Sequence, residues 1–143
     1  MPDTYVGSID QGTTGTRFMV FDHAGQVVAN AYEQHEQIYP ESGWVEHDPI
    51  EIWENTKEVV QRGLEDAALD AEQLEALGIT NQRETTIVWD EATGKPVHNA
   101  LVWQDRRTTD RIEELEEEDK VEWIREKTGL EADAYFSATK TEW

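Results

Sequence analysis

The sequence predicts an α/β domain built on a mixed sheet. Three observations point there. Three apolar-rich runs open the chain and are joined by short connections, one strongly capped amphipathic helix follows, and a further apolar run comes soon after that helix. Short connections favour antiparallel neighbours, whereas a strand–helix–strand crossover gives a parallel pair. One sheet must therefore contain both kinds of pairing.

The first run, Tyr5 to Ile9, ends in Asp10 and passes into Gln11-Gly12-Thr13-Thr14-Gly15-Thr16. The second, Arg17 to Phe21, is apolar at nearly every position, as in a strand covered on both faces. Asp22-His23-Ala24-Gly25 is turn chemistry, and the third run, Gln26 to Glu36, alternates more weakly. Residues 37–48 read as irregular. The helix start combines Asp48 as N-cap, Pro49 as first helical residue and Glu51 three residues after the cap. Ile52, Trp53, Thr56, Val59, Val60, Gly63, Leu64 and Ala67 then recur at helical spacing, with Glu51, Glu54, Lys57, Glu58, Gln61 and Glu65 outside. Leu74 to Thr80 is the strand that returns parallel to an earlier one.

Thr85 to Trp89 and Val97 to Trp103, joined through Thr93-Gly94, read as a second hairpin. From Asp105 to Lys127 the chain turns charged and helical, with a thin apolar stripe of Ile112, Leu115, Val121 and Ile124. Gly129 suits the position just past a helix end. The acidic run Glu113 to Asp119 reads as a solvated face. Trp44, Trp53, Trp89 and Trp123 read as core or half-buried packing. Ser137 reads as the N-cap of a last short helix. The chain then stops at Trp143 after six helical residues, which reads as a cut in mid-element and predicts a piece of a longer protein.

Composition narrows the function. Lys and Arg number 12 against 32 Asp and Glu, a net charge of −20 over 143 residues. A nucleic-acid binder needs a cationic surface, and so does a protein that docks on anionic lipid. The absence of cysteine excludes disulfides, thiolate nucleophiles and Cys-based metal sites. No apolar run approaches a membrane span, and Met1-Pro2-Asp3-Thr4 lacks the basic and apolar regions of a leader. The expectation is a cytoplasmic protein. A surface this acidic repels itself when compact. Salt near 1 M shortens the screening length to about 3 Å and relieves that repulsion, so the composition suits a salty cytoplasm.

The sharpest candidate segment is Asp10-Gln11-Gly12-Thr13-Thr14-Gly15-Thr16-Arg17. A carboxylate closes a buried strand, two glycines let backbone approach a ligand, three threonines offer hydroxyls and Arg17 adds a cation. Asp10 is suited to hold hydrated Mg²⁺ against a phosphate. Phosphate binding competes here with a plain polar hairpin turn. Asn81-Gln82-Arg83-Glu84 places four large polar residues between apolar strands, and Arg83 and Glu84 face one ligand only if the backbone bends. Arg106 and Arg107 fit either an anion site or a charged helix start. The four histidines have no metal-ligand spacing, and no Ser-His-Asp arrangement can be argued.

Ile9-Asp10-Gln11-Gly12-Thr13-Thr14 with Arg17 resembles the first phosphate loop of the FGGY carbohydrate kinases, members of the sugar kinase/actin/heat-shock ATPase superfamily. Gly43-Trp44-Val45-Glu46-His47-Asp48-Pro49, Gly78-Ile79-Thr80-Asn81-Gln82-Arg83-Glu84-Thr85-Thr86, Thr93-Gly94-Lys95-Pro96, Val102-Trp103-Gln104 and Tyr135-Phe136-Ser137 extend the resemblance over nearly the whole chain. The Asn-Gln-Arg-Glu segment, with Trp103-Gln104 and Tyr135-Phe136, points to the members that phosphorylate glycerol. The resemblance implies an RNase H-like α/β fold, with residues 1–143 forming part of the N-terminal kinase domain and leaving one sheet edge and part of its face uncovered.

The same resemblance implies ATP as co-substrate and Mg²⁺ as cofactor, with Thr13, Thr14, Gly15 and Arg17 at the ATP phosphates and Asp10 positioning the metal. Arg17 would also stabilise charge near the transferred group. Arg83 and Glu84 would hydrogen-bond glycerol, Tyr135 would add a contact and Trp103 would pack on the carbon chain. No residue here matches the family's catalytic Asp or its adenine-binding domain. The implied partners are glycerol and ATP, with no nucleic acid, no membrane insertion and room for a homo-oligomer in the whole protein. Two other readings are a non-catalytic piece and a sister kinase for another polyol or sugar. Asp105, after Trp103-Gln104, has no role in any of them.

Overall fold

A computed structural model describes residues 4–143. Met1-Pro2-Asp3, on which part of the leader argument rests, lies outside the described residues. In chain order the elements are β1 (Tyr5–Gln11), β2 (Gly15–Phe21), β3 (Val27–Gln34), β4 (Glu46–His47), α1 (Pro49–Asp66), β5 (Leu74–Thr80), β6 (Ala100–Leu101), α2 (Thr109–Glu117), α3 (Val121–Thr128) and α4 (Ser137–Glu142). They divide into two compact units. One runs through Glu36 and from Asp48 to Gln82; the other comprises Gln37–His47 and Arg83–Trp143.

The first unit is a four-stranded mixed sheet in the order β3-β2-β1-β5, with α1 on one face. β1 and β2 pair antiparallel, with Asp10 opposite Arg17 and Gln11 opposite Thr16. β2 and β3 are antiparallel, and β5 runs parallel to β1, with Ile9 opposite Ile79. The meander and the crossover are thus as the sequence predicts. The core is Ile9, Phe18, Val20, Ala29, Ala31 and Val59. Gly63 is required here: a Cβ on it would sit 2.6 Å from Cδ1 of Phe18, so the missing side chain lets α1 seat on the sheet.

Asp48 caps α1, its Oδ1 accepting from the Ile50 N–H at 2.8 Å. The other half of a capping box is absent. Both Glu51 oxygens lie 3.1 Å from the Glu36 N–H instead, tying the helix start to the end of the meander. α1 covers β2 and β3 and leaves β5 open: apart from Leu74, every β5 residue is exposed, Ile79 at 69%. The uncovered edge and face that the resemblance implies are therefore present at β5.

The second unit is more polar inside. β4 and β6 form a two-stranded antiparallel ladder, Glu46 opposite Leu101 and His47 opposite Ala100, a pairing the sequence does not announce. The expected hairpin exists only as two antiparallel bridges, Thr86 with Leu101 and Trp89 with Pro96, so Thr85 to Trp89 is not a continuous strand. Asp90 organises its tip, accepting from the Thr93 N–H and Oγ1 at 2.8 Å each.

The charged stretch is helical as expected and forms two helices, α2 and α3. It breaks after Glu117, where Asp119 takes a left-handed φ of 56°. Gly129 ends α3 at φ 74°, its N–H donating to the Arg125 carbonyl at 2.8 Å, as expected. Ser137 is the first residue of α4 rather than its cap, because its Oγ donates to the Glu84 carbonyl at 3.2 Å. Trp53, Trp89 and Trp123 are exposed, not core; Trp44 alone of the four is half-buried. No described helix is long and apolar enough to cross a membrane.

Candidate functional site

In the first unit the candidate phosphate segment is the tight connection between β1 and β2. Gly12 N–H donates to the Gly15 carbonyl at 3.0 Å, closing a loop of Gly12-Thr13-Thr14. The segment is a hairpin turn in geometry, with the candidate residues at its tip. Asp10 is the exposed next-to-last residue of β1, and Thr13 and Thr14 lie on the loop. Thr16 departs from expectation. It is fully buried in β2, and its Oγ1 has no hydrogen-bond partner among the described residues, so its hydroxyl is not a loop donor.

β3 braces this loop from the side. His35 Nε2 lies 2.9 Å from the Thr13 carbonyl, and the His35 N–H donates to the Thr14 carbonyl at 3.4 Å. Burial lowers the His35 pKa, with the Thr13 carbonyl and the Glu51 charge pulling it back. A neutral ring facing a carbonyl must carry its hydrogen on Nε2. Tyr32 packs against Gly15, where any Cβ would meet its hydroxyl at 2.7 Å and collide with the Glu33 carbonyl oxygen. The Tyr32 ring also carries the Arg17 guanidinium 5.1 Å from its centroid, and Arg17 NH1 donates to Asn30 Oδ1 at 3.3 Å. Arg17 is thereby held along the sheet face. His35 and Tyr32 were invisible as site residues, since nothing in their spacing marks them.

Among the described residues no group of three or more His, Asp and Glu could hold a metal. A single exposed carboxylate beside a phosphate loop still fits Mg²⁺, which keeps most of its waters and takes one or two carboxylates plus phosphate oxygens. Asp10 is the carboxylate at this loop that could take such a place.

In the second unit, Glu84, Trp103 and Tyr135 come together although they are far apart in sequence. The Trp103 and Tyr135 rings meet edge-on with centroids 5.8 Å apart, and Tyr135 meets Phe136 at 5.0 Å. Ser137 holds the Glu84 carbonyl, as above. Tyr135 N–H donates to Asp133 Oδ1 at 2.7 Å, which lowers the Asp133 pKa, aided by Arg106 at 2.6 Å. Arg83 takes a left-handed φ of 59°. The backbone therefore bends at the Arg83-Glu84 step. Non-glycine residues in this region are uncommon; Ala68 and Asp119 share it, at φ 53° and 56°.

Sequence reasoning missed Lys140. It is 3% exposed, and its Nζ donates to the Tyr135 carbonyl at 2.8 Å and the Trp103 carbonyl at 3.5 Å. A lone lysine between threonines carries no signal of this. The Arg106-Arg107 pair resolves away from an anion site. Arg107 is filled by carboxylates: NH2 lies 2.7 Å from Glu46 and 2.9 Å from Asp105. Burial opposes the Arg107 charge, but hydrogen bonds to Asp105 and Glu46 outweigh it and raise its pKa. Trp44 and Trp143 stack over the guanidinium at 3.8 and 4.6 Å.

Comparison with known proteins decides the family. Residues 5–143 match the FGGY family of carbohydrate kinases, N-terminal domain. The chain belongs to the FGGY family of carbohydrate kinases. Two similar relatives are the glycerol kinases of Haloquadratum walsbyi and Haloarcula marismortui, 88% and 86% identical over 143 residues. This FGGY chain spans 28% of the length of each. Among solved structures, Plasmodium falciparum glycerol kinase with ADP superposes with a TM-score of 0.90 at 37% identity, over 99% of this chain and 28% of that one. The mixed sheet and crossover helix are therefore those of an FGGY kinase N-terminal domain.

Proposed function

We propose that the whole protein transfers the γ-phosphoryl group of ATP to glycerol, giving sn-glycerol 3-phosphate and ADP. The observation that carries this reading is the cluster of Glu84, Trp103 and Tyr135 beside a left-handed Arg83, in a chain 88% identical to a glycerol kinase. Charged and hydroxyl groups select a triol, which an apolar pocket cannot do, and an aromatic edge covers its carbon chain. Arg83 and Glu84 bind the hydroxyls, Tyr135 adds a contact and Trp103 packs on the carbons. Residues 1–143 supply this part of the N-terminal kinase domain.

In this reading Thr13, Thr14 and Gly15 meet the ATP phosphates, and Arg17 stabilises charge near the transferred group. Asp10 positions Mg²⁺, which when bound neutralises phosphate charge. Phosphoryl transfer depends chiefly on positioning and electrostatic stabilisation, and these residues provide both. No residue of this chain is assigned as the general base, so the test belongs to the whole protein. The net charge of −20 supports assay in concentrated KCl.

The test compares glycerol with other polyols and sugars, and Arg83→Ala with the wild type. Losing a charged hydrogen bond of about 1.5–3 kcal/mol raises KM for glycerol roughly 10- to 100-fold, with KM for ATP within about twofold. Equal loss of both would contradict the role of Arg83. Preference for another polyol or a sugar would favour the sister-kinase reading.

A further inference from the structure

Lys140 binds two carbonyls that arrive on separate parts of the chain. Trp103 follows β6, and Tyr135 precedes α4. Their rings are in contact, so one ammonium pins the main chain of both partners of an aromatic pair. Burying an ammonium costs far more than burying an aliphatic chain of the same length. Burial brings the Lys140 pKa down to about 8, with Asp105, Asp133 and Glu84 opposing that and Arg106 adding to it. Packing alone does not require a charge here. A charge draws two carbonyl dipoles to one point and resists their separation. Ser137, earlier on the same helix, holds the Glu84 carbonyl. α4 thus gathers three of the four residues read as glycerol contacts.

We infer that Lys140 is a positioning residue for glycerol: its ammonium clamps the carbonyls of Trp103 and Tyr135, so that glycerol binding, but not nucleotide binding, depends on it. The inference rests on the reading of Trp103 and Tyr135 as glycerol contacts. Site groups must be held to about half an ångström to act, and backbone clamping fixes both rings at their roots.

The experiment is steady-state kinetics of the whole protein as wild type, Lys140→Met and Arg83→Ala, with melting temperatures alongside. Lys140→Met is expected to raise KM for glycerol roughly tenfold while KM for ATP stays within about twofold. A folded Lys140→Met with a lowered melting temperature and wild-type KM for glycerol would overturn the inference, leaving Lys140 a packing residue. Should that variant not fold, the wild type carries the test through its own titration. KM for glycerol then rises between about pH 7.5 and about pH 9.5 as the ammonium loses its proton, with KM for ATP unchanged; a flat glycerol KM overturns the inference. Arg83→Ala separates the two levels. If Arg83→Ala weakens glycerol and Lys140→Met does not, the inference alone fails; if the wild type does not phosphorylate glycerol, both fail.

Discussion

Asp105 and Arg107 lie side by side inside the second unit, both side chains fully buried, with Arg107 Nε 3.0 and 3.1 Å from the two Asp105 oxygens. Asp105 Oδ2 also accepts from the Val45 N–H at 2.7 Å, and Oδ1 from the Arg107 N–H at 2.9 Å. One carboxylate therefore ties the residue before β4 to the turn leading into α2. Glu46 shares the guanidinium, and Asn99 satisfies the other Glu46 oxygen at 2.9 Å. This is the role that Asp105 lacked in the sequence: it fixes structure two residues after Trp103.

Removing Asp105 should therefore be expensive. Asp105→Ala strands a buried guanidinium and is expected to cost about 3–5 kcal/mol, the usual loss when one member of a buried pair is deleted. Urea unfolding of the variant in concentrated KCl checks this. A loss under about 1 kcal/mol would mean that the pair is hydrated in solution and does not organise the unit.

The His35 ring sets a pH dependence. Burial holds its pKa below the ordinary 6.5. As pH falls through 6.5, the unfolded chain takes up a proton that the folded chain resists, so stability is full above that value and declines below it. His35→Gln, keeping a donor toward the Thr13 carbonyl, is expected to flatten the melting curve between about pH 7 and about pH 5.5. Parallel slopes for both proteins would remove His35 as the cause.

Gly15→Ala tests the brace on the proposed phosphate loop. Its Cβ would strike the Tyr32 hydroxyl and the Glu33 carbonyl, costing about 1–3 kcal/mol as in other overpacked sites. Because Tyr32 carries Arg17 on its ring, KM for ATP of the whole protein should rise as well. A destabilised variant with unchanged KM for ATP would separate the packing of Gly15 from nucleotide binding.

Salt should stabilise the fold. With a net charge of −20, the melting temperature is expected to rise between about 0.1 and about 2 M KCl as screening shortens. A flat or falling curve would sink the salt-adaptation argument. Potassium sulfate at matched ionic strength separates screening from preferential exclusion.

Much of the fold was legible. Asp48-Pro49 announced α1, and the runs around Phe18 and Ile79 announced the mixed sheet, because capping and periodicity act locally. Long-range contacts were not legible. The β4–β6 ladder, Glu51 bonding to Glu36, and Ser137 bonding to Glu84 each join residues that no spacing relates. The exposed Trp53, Trp89 and Trp123 misled because residue type was taken for burial. In the candidate site the sequence marked the residues proposed to meet ligands, Asp10, Arg83, Trp103 and Tyr135, by pattern and resemblance. It gave no sign of the supports, His35, Tyr32, Asp105 and Lys140: His35 and Lys140 hold backbone carbonyls, which every residue shares, and Tyr32 and Asp105 meet partners brought together by the fold.

The bare side of β5 bears on handling as much as on fold. Leu77 and Ile79 are 48% and 69% exposed on an edge strand that carries a single charge, Glu75. Unpaired edges of this kind invite strand-to-strand association between molecules, and at low ionic strength the shared negative charge keeps copies of this chain apart. The salt that relaxes repulsion within one molecule also lowers the colloidal barrier between two. Fold stability and dispersion are thus expected to respond to salt in opposite directions, which would bound a working window of ionic strength for residues 1–143 by unfolding below and by self-association above.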